Sequence, residues 1–282
     1  MSPGHALRFA RRSLYLLLGS CLLFPATACE KGQGPPPQAK KRYVVATDAT
    51  LVPMSFVNDR NRLDGFEIDL MNEIAKTAGT GVDLVNVEWA GLFGGLLTHK
   101  YDMVVSSVTI LEERRRKMAF SIPYLRSGLA LVVRKETEDV NSIEDAERKF
   151  LLVGAQTGTT AYFFLEKYPG IRKKGYQLYG HAIADLIKGE IDAVVGESSG
   201  TLYYKNQNRE YFEKIKMAGE ILTEEYYGIV LRKEDAELLK KINGALARLL
   251  ENGFVRQLHD KWELGQAAVV PPVMPEDPVG KD

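Results

Sequence analysis

Residues 101–114 read YDMVVSSVTILEER, a short apolar run followed at once by hydroxyl side chains, two acids and an arginine. The apolar run predicts a buried strand, and the hydroxyls at its carboxyl end belong to Ser106, Ser107 and Thr109. Thr109 and Glu112 have the spacing of a capping box, which predicts a helix that begins at Thr109. A helix N-terminus offers main-chain N–H groups to an anion, and Arg114 can hold a carboxylate through two hydrogen bonds. This stretch therefore predicts an α/β fold with an anion site at the end of a strand.

The alternation of strands and helices continues on both sides of this stretch and is repeated further along the chain. In the first series, apolar periodicity predicts strands 43–46, 82–87 and 101–107 and helices 68–79 and 92–100. In the second series it predicts strands 150–155, 177–179 and 191–195 and helices from Thr159 and over 182–188. Such alternation indicates open sheets with helices on both faces, so the chain is predicted to form two α/β units.

Two further apolar segments and a helical C-terminal region are predicted to join the units. Residues 128–136 and 224–235 each resemble a strand, and residues 236–263 predict two amphipathic helices that return to the first unit. The predicted layout is lobe 1 over 43–124, a hinge at 125–129, lobe 2 over 130–220, a hinge at 221–225 and the rest of lobe 1 over 226–264. Sheets of this kind bind small ligands at the carboxyl ends of their strands, so a cleft between the lobes is the expected site.

The two ends of the chain are predicted to lie outside this folded body. Residues 1–28 combine arginines, an apolar run and small residues, which is the pattern of an export signal. Cys29 is then expected to become a lipidated N-terminus in the periplasm or cell envelope. Secretion without lipid, a signal anchor and the lipobox-like sequence before Cys21 are alternatives. Residues 29–42 are predicted to be a flexible tether and residues 265–282, with four prolines, a disordered tail.

Other polar side chains are predicted to face the same cleft. Thr159 and Thr160 lie at a predicted helix start, which indicates either a second anion site or an ordinary cap. Glu197 follows a strand and can hold an ammonium group or face water. Trp89 and Asp48 also follow strands. Each can contact a ligand; the alternatives are a core position for Trp89 and a turn or helix-cap position for Asp48. The four histidines lack metal-site spacing and no phosphate-binding motif occurs, so no metal or cofactor is predicted.

Eight sequence motifs, spread over residues 43–264, together carry a resemblance to a known protein family. They are VVATDATLVPMSF, LDGFEIDLMNEIAK, VEWAGLFGGLL, YDMVVSSVTILEERRRKMAFSIPYL, VGAQTGTTAYF, GEIDAVVGE, YYGIVLRKED and INGALARLLENGFVRQLHDKWE. Together they resemble the bacterial extracellular solute-binding proteins of family 3, such as the glutamine-binding and the lysine/arginine/ornithine-binding proteins of ABC importers. The resemblance implies the type II periplasmic-binding-protein fold, with two lobes, two crossing segments and a ligand cleft between the lobes.

The resemblance also implies roles for individual residues. Arg114 is expected to grip the α-carboxylate of the ligand, and Glu197 its α-ammonium group, where many relatives have aspartate. Trp89 is expected to pack on the aliphatic part of the ligand, and Asp48 to lie near its side-chain end. Ser107 and Thr109 are expected to help Arg114 hold the α-carboxylate, and Thr160 and Thr159 to close on the same carboxylate from the second lobe. Ser106 is expected to line the same wall, and Gln156 stands at a position that varies with specificity.

Two departures from the family leave the exact ligand open. Leu51 and Met54 stand where relatives usually have aromatic residues. Asp48 favours a side chain that donates hydrogen bonds and disfavours an acidic one, because a buried carboxylate without a partner is costly. We expect glutamine or a basic amino acid, bound by a monomer without enzymatic activity that serves an ABC permease in the inner membrane. The formal charge is balanced, so no nucleic-acid partner is expected.

Two other function classes compete with this interpretation. Exported cyclohexadienyl/arogenate dehydratases resemble the family, and FSIPYLRSG at 120–128 is close to their version of that segment. In those enzymes a glutamate lies three residues beyond the ammonium-binding acid, where this chain has Gly200. The third class is a sensor module that presents its ligand to a separate signalling partner.

Overall fold

The computed structural model of the chain describes residues 40–201 and 213–274. The predicted signal peptide, Cys29, the predicted tether up to residue 39 and residues 275–282 of the predicted tail lie outside the described residues. Within the described ranges, no helix has both the length and the apolar character needed to cross a membrane.

The first lobe contains a mixed five-stranded sheet. Its strands are β1 (Arg42–Thr47), β5 (Gly81–Asn86), β6 (Met103–Val104), β7 (Ala119–Phe120) and β15 (Val230–Leu231). They lie in the order β5-β1-β6-β15-β7, with β1 parallel to β5 and β6 and with β15 antiparallel to its two neighbours. A small second sheet consists of β2 (Thr50–Leu51), β3 (Ser55–Val57) and β4 (Leu63–Asp64).

Helices cover both faces of the larger sheet. They are α1 (Phe66–Thr77), α2 (Trp89–Leu97), α3 (Glu112–Arg115), α7 (Ala236–Glu251) and α8 (Phe254–Lys261). Because strand side chains alternate between faces, Val45 packs in the core with α1, α7 and α8, whereas Ala46 packs in the core with α2. The two C-terminal helices therefore complete the first lobe, and the break between them falls at Asn252–Gly253.

Gly65 permits the entry into α1 because only glycine fits its backbone. Its φ is 128°, in a region that residues with a side chain rarely adopt, and an added Cβ would lie 2.4 Å from the carbonyl oxygen of Met54. Directly after it, the main-chain N–H groups of Phe66 and Glu67 donate to the carbonyls of Pro53 and Met54. This turn fixes the start of α1 against the loop that follows β2.

The second lobe repeats the architecture of the first. Its sheet contains β9 (Leu129–Arg134), β10 (Leu152–Gln156), β11 (Arg172–Tyr176), β12 (Ala193–Glu197) and β13 (Ile215–Ala218), in the order β11-β10-β12-β9-β13. Its helices are α4 (Ile143–Arg148), α5 (Thr160–Phe164), a 3₁₀ turn at Leu165–Lys167 and α6 (Tyr179–Lys188). Strands β10, β11 and β12 are parallel, and β9 is antiparallel to β12 and β13.

Two antiparallel strands connect the lobes. They are β8 (Leu125–Ser127) and β14 (Glu225–Tyr227), with Ser127 opposite Glu225 and Leu125 opposite Tyr227. Strand β9 follows β8 into the second sheet, and β15 follows β14 back into the first. Each crossing therefore ends in the other lobe's sheet, which confirms the predicted two-lobed α/β fold; that the crossings act as hinges stays a prediction.

Three local predictions were wrong. No helix begins at Thr109, because its side chain bonds elsewhere and α3 begins at Glu112 after Leu111. Residues 177–179 do not form a strand, since the edge strand is the polar segment β11 and Tyr179 already begins α6. The tail is ordered at residues 265–274, where a 3₁₀ turn is followed by a β-bridge from Val269 to Arg126 on β8. That bridge supplies main-chain partners which the polar, proline-rich composition does not reveal.

Candidate ligand-binding site

One cleft between the lobes is lined by all ten residues that the sequence predicts for the site. The first lobe contributes Asp48, Trp89, Ser106, Ser107, Thr109 and Arg114, and the second contributes Gln156, Thr159, Thr160 and Glu197. They meet because they follow β1, β5, β6, β10 and β12, whose carboxyl ends face the space between the two sheets. Leu51, Tyr179 and Val195 add apolar surface to the same cleft. That these residues contact a ligand stays a prediction.

Arg114 is a buried cation held in place by aromatic rings. Its side chain lies on α3, and its Nη1 donates to the carbonyl of Thr109 at 3.0 Å. The guanidinium carbon lies 5.7 Å from the ring centroid of Trp89 and 5.4 Å from that of Phe93, within reach of cation–π attraction. Burial lowers the pKa of Arg114, and the carboxylates of Glu225, Glu113 and Glu197 oppose that shift. The guanidinium of Arg114 is therefore desolvated and held in one orientation, which favours binding of a ligand carboxylate.

Most hydroxyl hydrogens around Arg114 already have acceptors within the protein. The hydroxyl of Thr109 donates to Glu225 at 2.6 Å, and that of Thr160 donates to the same carboxylate oxygen at 3.2 Å. Thr159 caps α5 and donates to the carbonyl of Gln156 at 2.7 Å. A hydroxyl has one hydrogen to donate and two lone pairs. These threonines therefore present their oxygens to the cleft as acceptors.

Glu67 is a fully buried acid that the sequence analysis missed. One of its carboxylate oxygens accepts from the main-chain N–H of Ser107 at 2.6 Å, from the hydroxyl of Ser107 at 3.1 Å and from Tyr124. The other accepts from Ser55 at 2.7 Å. Burial raises the pKa of Glu67, although these four donors oppose the shift. Ser107 has a φ of 47°, so Glu67 holds the loop after β6 in a left-handed turn.

Glu67 could have been suspected from the sequence because it interrupts the apolar face of α1. It lies next to Phe66 on a helix whose buried residues are otherwise hydrophobic. An acid at such a position needs several donors to be tolerated. Nothing in the sequence indicates that those donors come from residues 40 and 57 positions away.

Glu197 forms the opposite wall of the cleft. It ends β12 in the second lobe, is half-buried, and accepts a hydrogen bond from Tyr227 on the crossing strand β14. Burial and the nearby carboxylate of Glu225 raise the pKa of Glu197 well above its ordinary value, against the opposing effects of Tyr227, Arg114 and the Thr160 hydroxyl. A cation placed beside this carboxylate would relieve the cost of its burial.

Glu225 is the second acid that the sequence analysis missed. It lies on β14, is 5 % exposed, and accepts from Thr109, Thr160 and Thr223. Burial raises its pKa, whereas the three threonine hydroxyls and Arg114 lower it. In the sequence it is one of two adjacent glutamates before an apolar strand, where a solvated position is the ordinary expectation. Its burial arises only because β14 pairs with β8 between the lobes.

Asp48 and Trp89 connect the cleft to helix α2 and to the opposite lobe. The Asp48 carboxylate accepts from the main-chain N–H of Trp89 at 3.0 Å and from the hydroxyl of Thr50 at 2.8 Å, so it caps the first turn of α2 while it lines the cleft. Trp89 is the first residue of that helix, and its indole N–H donates across the cleft to the carbonyl of Gly158 at 3.1 Å. Gln156 bonds the carbonyl of Gln177 in the second lobe.

Ser106 lies between these two groups of contacts. Its oxygen accepts from the main-chain N–H of Asp48 at 3.0 Å, which links the ends of β1 and β6. That bond uses a lone pair and leaves the hydroxyl hydrogen available for donation. Ser106 therefore differs from the threonines, whose hydrogens are directed at protein acceptors.

The sequence model of the bacterial extracellular solute-binding proteins, family 3, matches residues 43–266. The chain belongs to this family. This solute-binding protein is 31 % identical to a probable histidine-binding protein of Neisseria gonorrhoeae, over 88 % of the chain and 96 % of that relative. An ancestral arginine-binding protein bound to glutamine is 34 % identical, with a TM-score of 0.75 over 80 % of this chain and 99 % of that one.

One neighbour of this solute-binding protein connects the family to an enzyme. It is an ancestral amino acid-binding protein described as a precursor of cyclohexadienyl dehydratase, 31 % identical, with a TM-score of 0.72 over 78 % of this chain and 95 % of that one. At Gly200 an added Cβ would lie 2.6 Å from Leu51 Cδ1. Leu51 therefore packs in the space that a side chain at position 200 would enter.

The described parts of this solute-binding protein also bear on metal binding. They contain no group of three or more histidine, cysteine, aspartate or glutamate side chains arranged to hold a metal ion. The buried acids instead take hydroxyl and main-chain donors, as Glu67 and Glu225 do.

Proposed function

We propose that this protein captures a polar α-amino acid between its lobes and delivers it to an ABC importer. The observation that carries the proposal is the placement of Arg114 on one wall of the cleft and Glu197 on the other. An α-amino acid carries a carboxylate and an ammonium group on the same carbon. It therefore matches both side chains at once when the lobes enclose it, and each buried charge gains a partner.

The balance of charge in and behind the cleft favours a basic amino acid. The carboxylates of Asp48 and Glu197 line the cleft together with the guanidinium of Arg114, and the carboxylate of Glu225 lies behind it and interacts with the same guanidinium. A positive ligand side chain compensates this excess, whereas an acidic one adds a further buried carboxylate. The histidine-binding relative and an ancestral arginine-binding protein bound to arginine support this choice. Glutamine ranks second, because its amide can donate to Asp48 but brings no charge.

A calorimetric titration of the purified protein with each of the twenty L-amino acids tests this proposal. We expect arginine, lysine, ornithine or histidine to bind most tightly, glutamine less tightly, and glutamate and aspartate most weakly. Ornithine is added to the screen for this purpose. Tightest binding of an acidic amino acid would contradict the charge argument, and no binding of any of them would refute the proposed function.

We also propose that the protein acts at the cell envelope, held there by a lipid on Cys29. Small residues precede Cys29 at the end of an apolar run, and family 3 proteins are described as extracellular. In the native host, Cys29→Ser is expected to move the protein from the membrane to the soluble fraction, whereas Cys21→Ser is expected to leave it at the membrane. Membrane association that survives Cys29→Ser would remove the lipid anchor from the proposal.

The dehydratase alternative receives support from a structural neighbour described as a precursor of cyclohexadienyl dehydratase. Dehydration needs a general acid aimed at the departing hydroxyl, and Gly200 supplies none at the position expected from those enzymes. Incubation with prephenate and with arogenate, followed by mass spectrometry, is expected to return both compounds at the rate of a protein-free control. Accelerated loss of water from either compound would favour the enzyme.

A further inference from the structure

Glu225 joins residues of both lobes through a single oxygen atom. Its Oε2 accepts from Thr109, which follows β6 in the first lobe, and from Thr160, which begins α5 in the second. The carboxylate itself lies on the crossing strand β14. Thr223, two residues before it, donates to the other oxygen at 3.2 Å.

The bond to Thr160 crosses from the second lobe to the strand β14, so a movement of the second lobe away from the first would break it. Thr109 is bound to the strand that carries Glu225 by a β-bridge to Tyr227, so the Thr109 hydroxyl stays near the carboxylate whatever the second lobe does. Thr160 belongs to the second lobe and is carried away when the cleft opens. The Glu225 carboxylate, which already accepts from Thr109 and lies near Arg114, can therefore accept from Thr160 when the lobes close.

The same bonds decide what the threonines offer to a ligand. Both line the cleft and donate to Glu225, and the Thr160 hydroxyl also lies within hydrogen-bonding reach of the Glu197 carboxylate. Only lone pairs remain on these oxygens for a ligand, so they favour a donor such as an ammonium group over a carboxylate. The ligand carboxylate is then left to the Arg114 guanidinium, which lines the same cleft.

We propose that Glu225 is a positioning residue that couples lobe closure to amino acid binding, by bonding the hydroxyls of Thr109 and Thr160 and fixing both as acceptors. The inference rests on the proposed function, because it concerns the same cleft. Glu225 itself lies behind the threonines and does not line the cleft. It therefore acts on a ligand through Thr109 and Thr160.

A double-mutant cycle on the full chain tests this role. Wild type, Glu225→Gln, Thr160→Val and the double variant are each titrated with L-arginine and with L-glutamine by calorimetry. Glutamine at position 225 keeps the shape but loses the charge that strengthens both bonds, so each single change is expected to weaken affinity about 10-fold or more. Because both changes act on the same Thr160–Glu225 bond, the double variant is expected to lose less affinity than the product of the two single losses.

Small-angle scattering adds a readout that a merely structural role would not move. Wild type is expected to contract on saturation with ligand, and Glu225→Gln at saturation is expected to remain more open. Glu224→Gln is the matched control, because the neighbouring glutamate is exposed and bonds Arg126 and Tyr226. It is expected to bind and contract as wild type does, and urea unfolding of all variants checks that they remain folded.

The outcomes separate this inference from the proposed function. If wild type binds neither amino acid, the proposed ligand class fails and this inference fails with it. If wild type binds but Glu225→Gln binds within twofold of it, or if the two single losses multiply in the double variant, only the role of Glu225 is overturned. Loss of affinity in Glu224→Gln equal to that in Glu225→Gln would also overturn it, because charge alone would then explain the effect.

Discussion

Replacing Arg114 by alanine is the most direct test of the carboxylate anchor. The guanidinium is 8 % exposed, lies against Trp89 and Phe93, and makes one hydrogen bond to a described residue, through Nη1 to Thr109. A ligand carboxylate can therefore use the remaining donors of the fork. Without Arg114, that carboxylate would be enclosed by the lobes without a cation.

The size of the effect follows from the cost of an unpaired buried charge. Removing one partner of a buried ion pair costs about 3–5 kcal/mol, which corresponds to about a 150- to 5,000-fold loss of affinity. Arg114→Lys keeps the charge but loses the planar fork and its stacking on the rings, so its affinity is expected to lie between those of wild type and Arg114→Ala. Calorimetry with L-arginine and L-glutamine measures both variants.

Arg116→Ala serves as the matched control. Its side chain is 75 % exposed, and its ion pair with Glu112 at 3.8 Å is a surface contact of little energetic consequence. We expect its affinity to match that of wild type. An Arg114→Ala variant that is folded by urea titration and binds within threefold of wild type would refute the assignment of Arg114.

Three further predictions follow from the described contacts. Gly65→Ala is expected to lower the free energy of unfolding by about 1–3 kcal/mol or more, because the new Cβ would meet a main-chain oxygen. Gly79→Ala is the control, with a φ of 70° but no atom within 4 Å of the new Cβ, and it is expected to lower the free energy of unfolding less. Urea unfolding compares the two variants. Burial raises the pKa of Glu67 above its ordinary 4.5, so the folded state binds a proton at Glu67 more tightly than the unfolded state does. The stabilisation that this proton gives is complete below pH 4.5 and is lost as the pH rises through the raised pKa. Unfolding free energies measured from pH 4 to 8 should therefore show a smaller decline in Glu67→Gln than in wild type, and an unchanged slope would contradict the assignment. The pKa of Glu197 is also raised, and a bound ammonium group would lower it, so ligand affinity is expected to fall as the pH decreases through that raised pKa. The proton released on binding should make the measured binding enthalpy depend on the buffer. An affinity that rises towards low pH would contradict the ammonium assignment.

Local sequence patterns were sufficient for the architecture and for the candidate site. Strand and helix periodicities indicated two α/β units, and polar residues after strands fall on one cleft because the carboxyl ends of parallel strands share an edge of the sheet. Arg114 is the predicted anion-binding arginine because hydroxyl side chains precede it at the end of the strand. It is buried, whereas Arg116 is exposed. These are short-range relations, which sequence spacing records directly.

The polar partners of the site could not be predicted in this way. Thr109 had the spacing of a helix cap, yet its hydroxyl bonds Glu225, which lies 116 residues away. Glu67 holds Ser107 from 40 residues away, and Trp89 bonds Gly158 from 69 residues away. A short hydroxyl side chain can satisfy its hydrogen locally or across the fold with similar energy, so local spacing does not decide between them.

The sequence by itself thus determined the two-lobed fold and the positions at which charged and hydroxyl groups reach the cleft, since periodicity and strand ends fix the direction of each side chain. The tertiary structure alone decided which carboxylates are buried behind those groups and which way each hydroxyl donates. The pairing of β8 with β14 places Glu225 between the lobes, and the loop after β6 folds onto Glu67. Both contacts depend on segments that are distant in the chain and become neighbours only when the sheets, helices and crossing strands pack together.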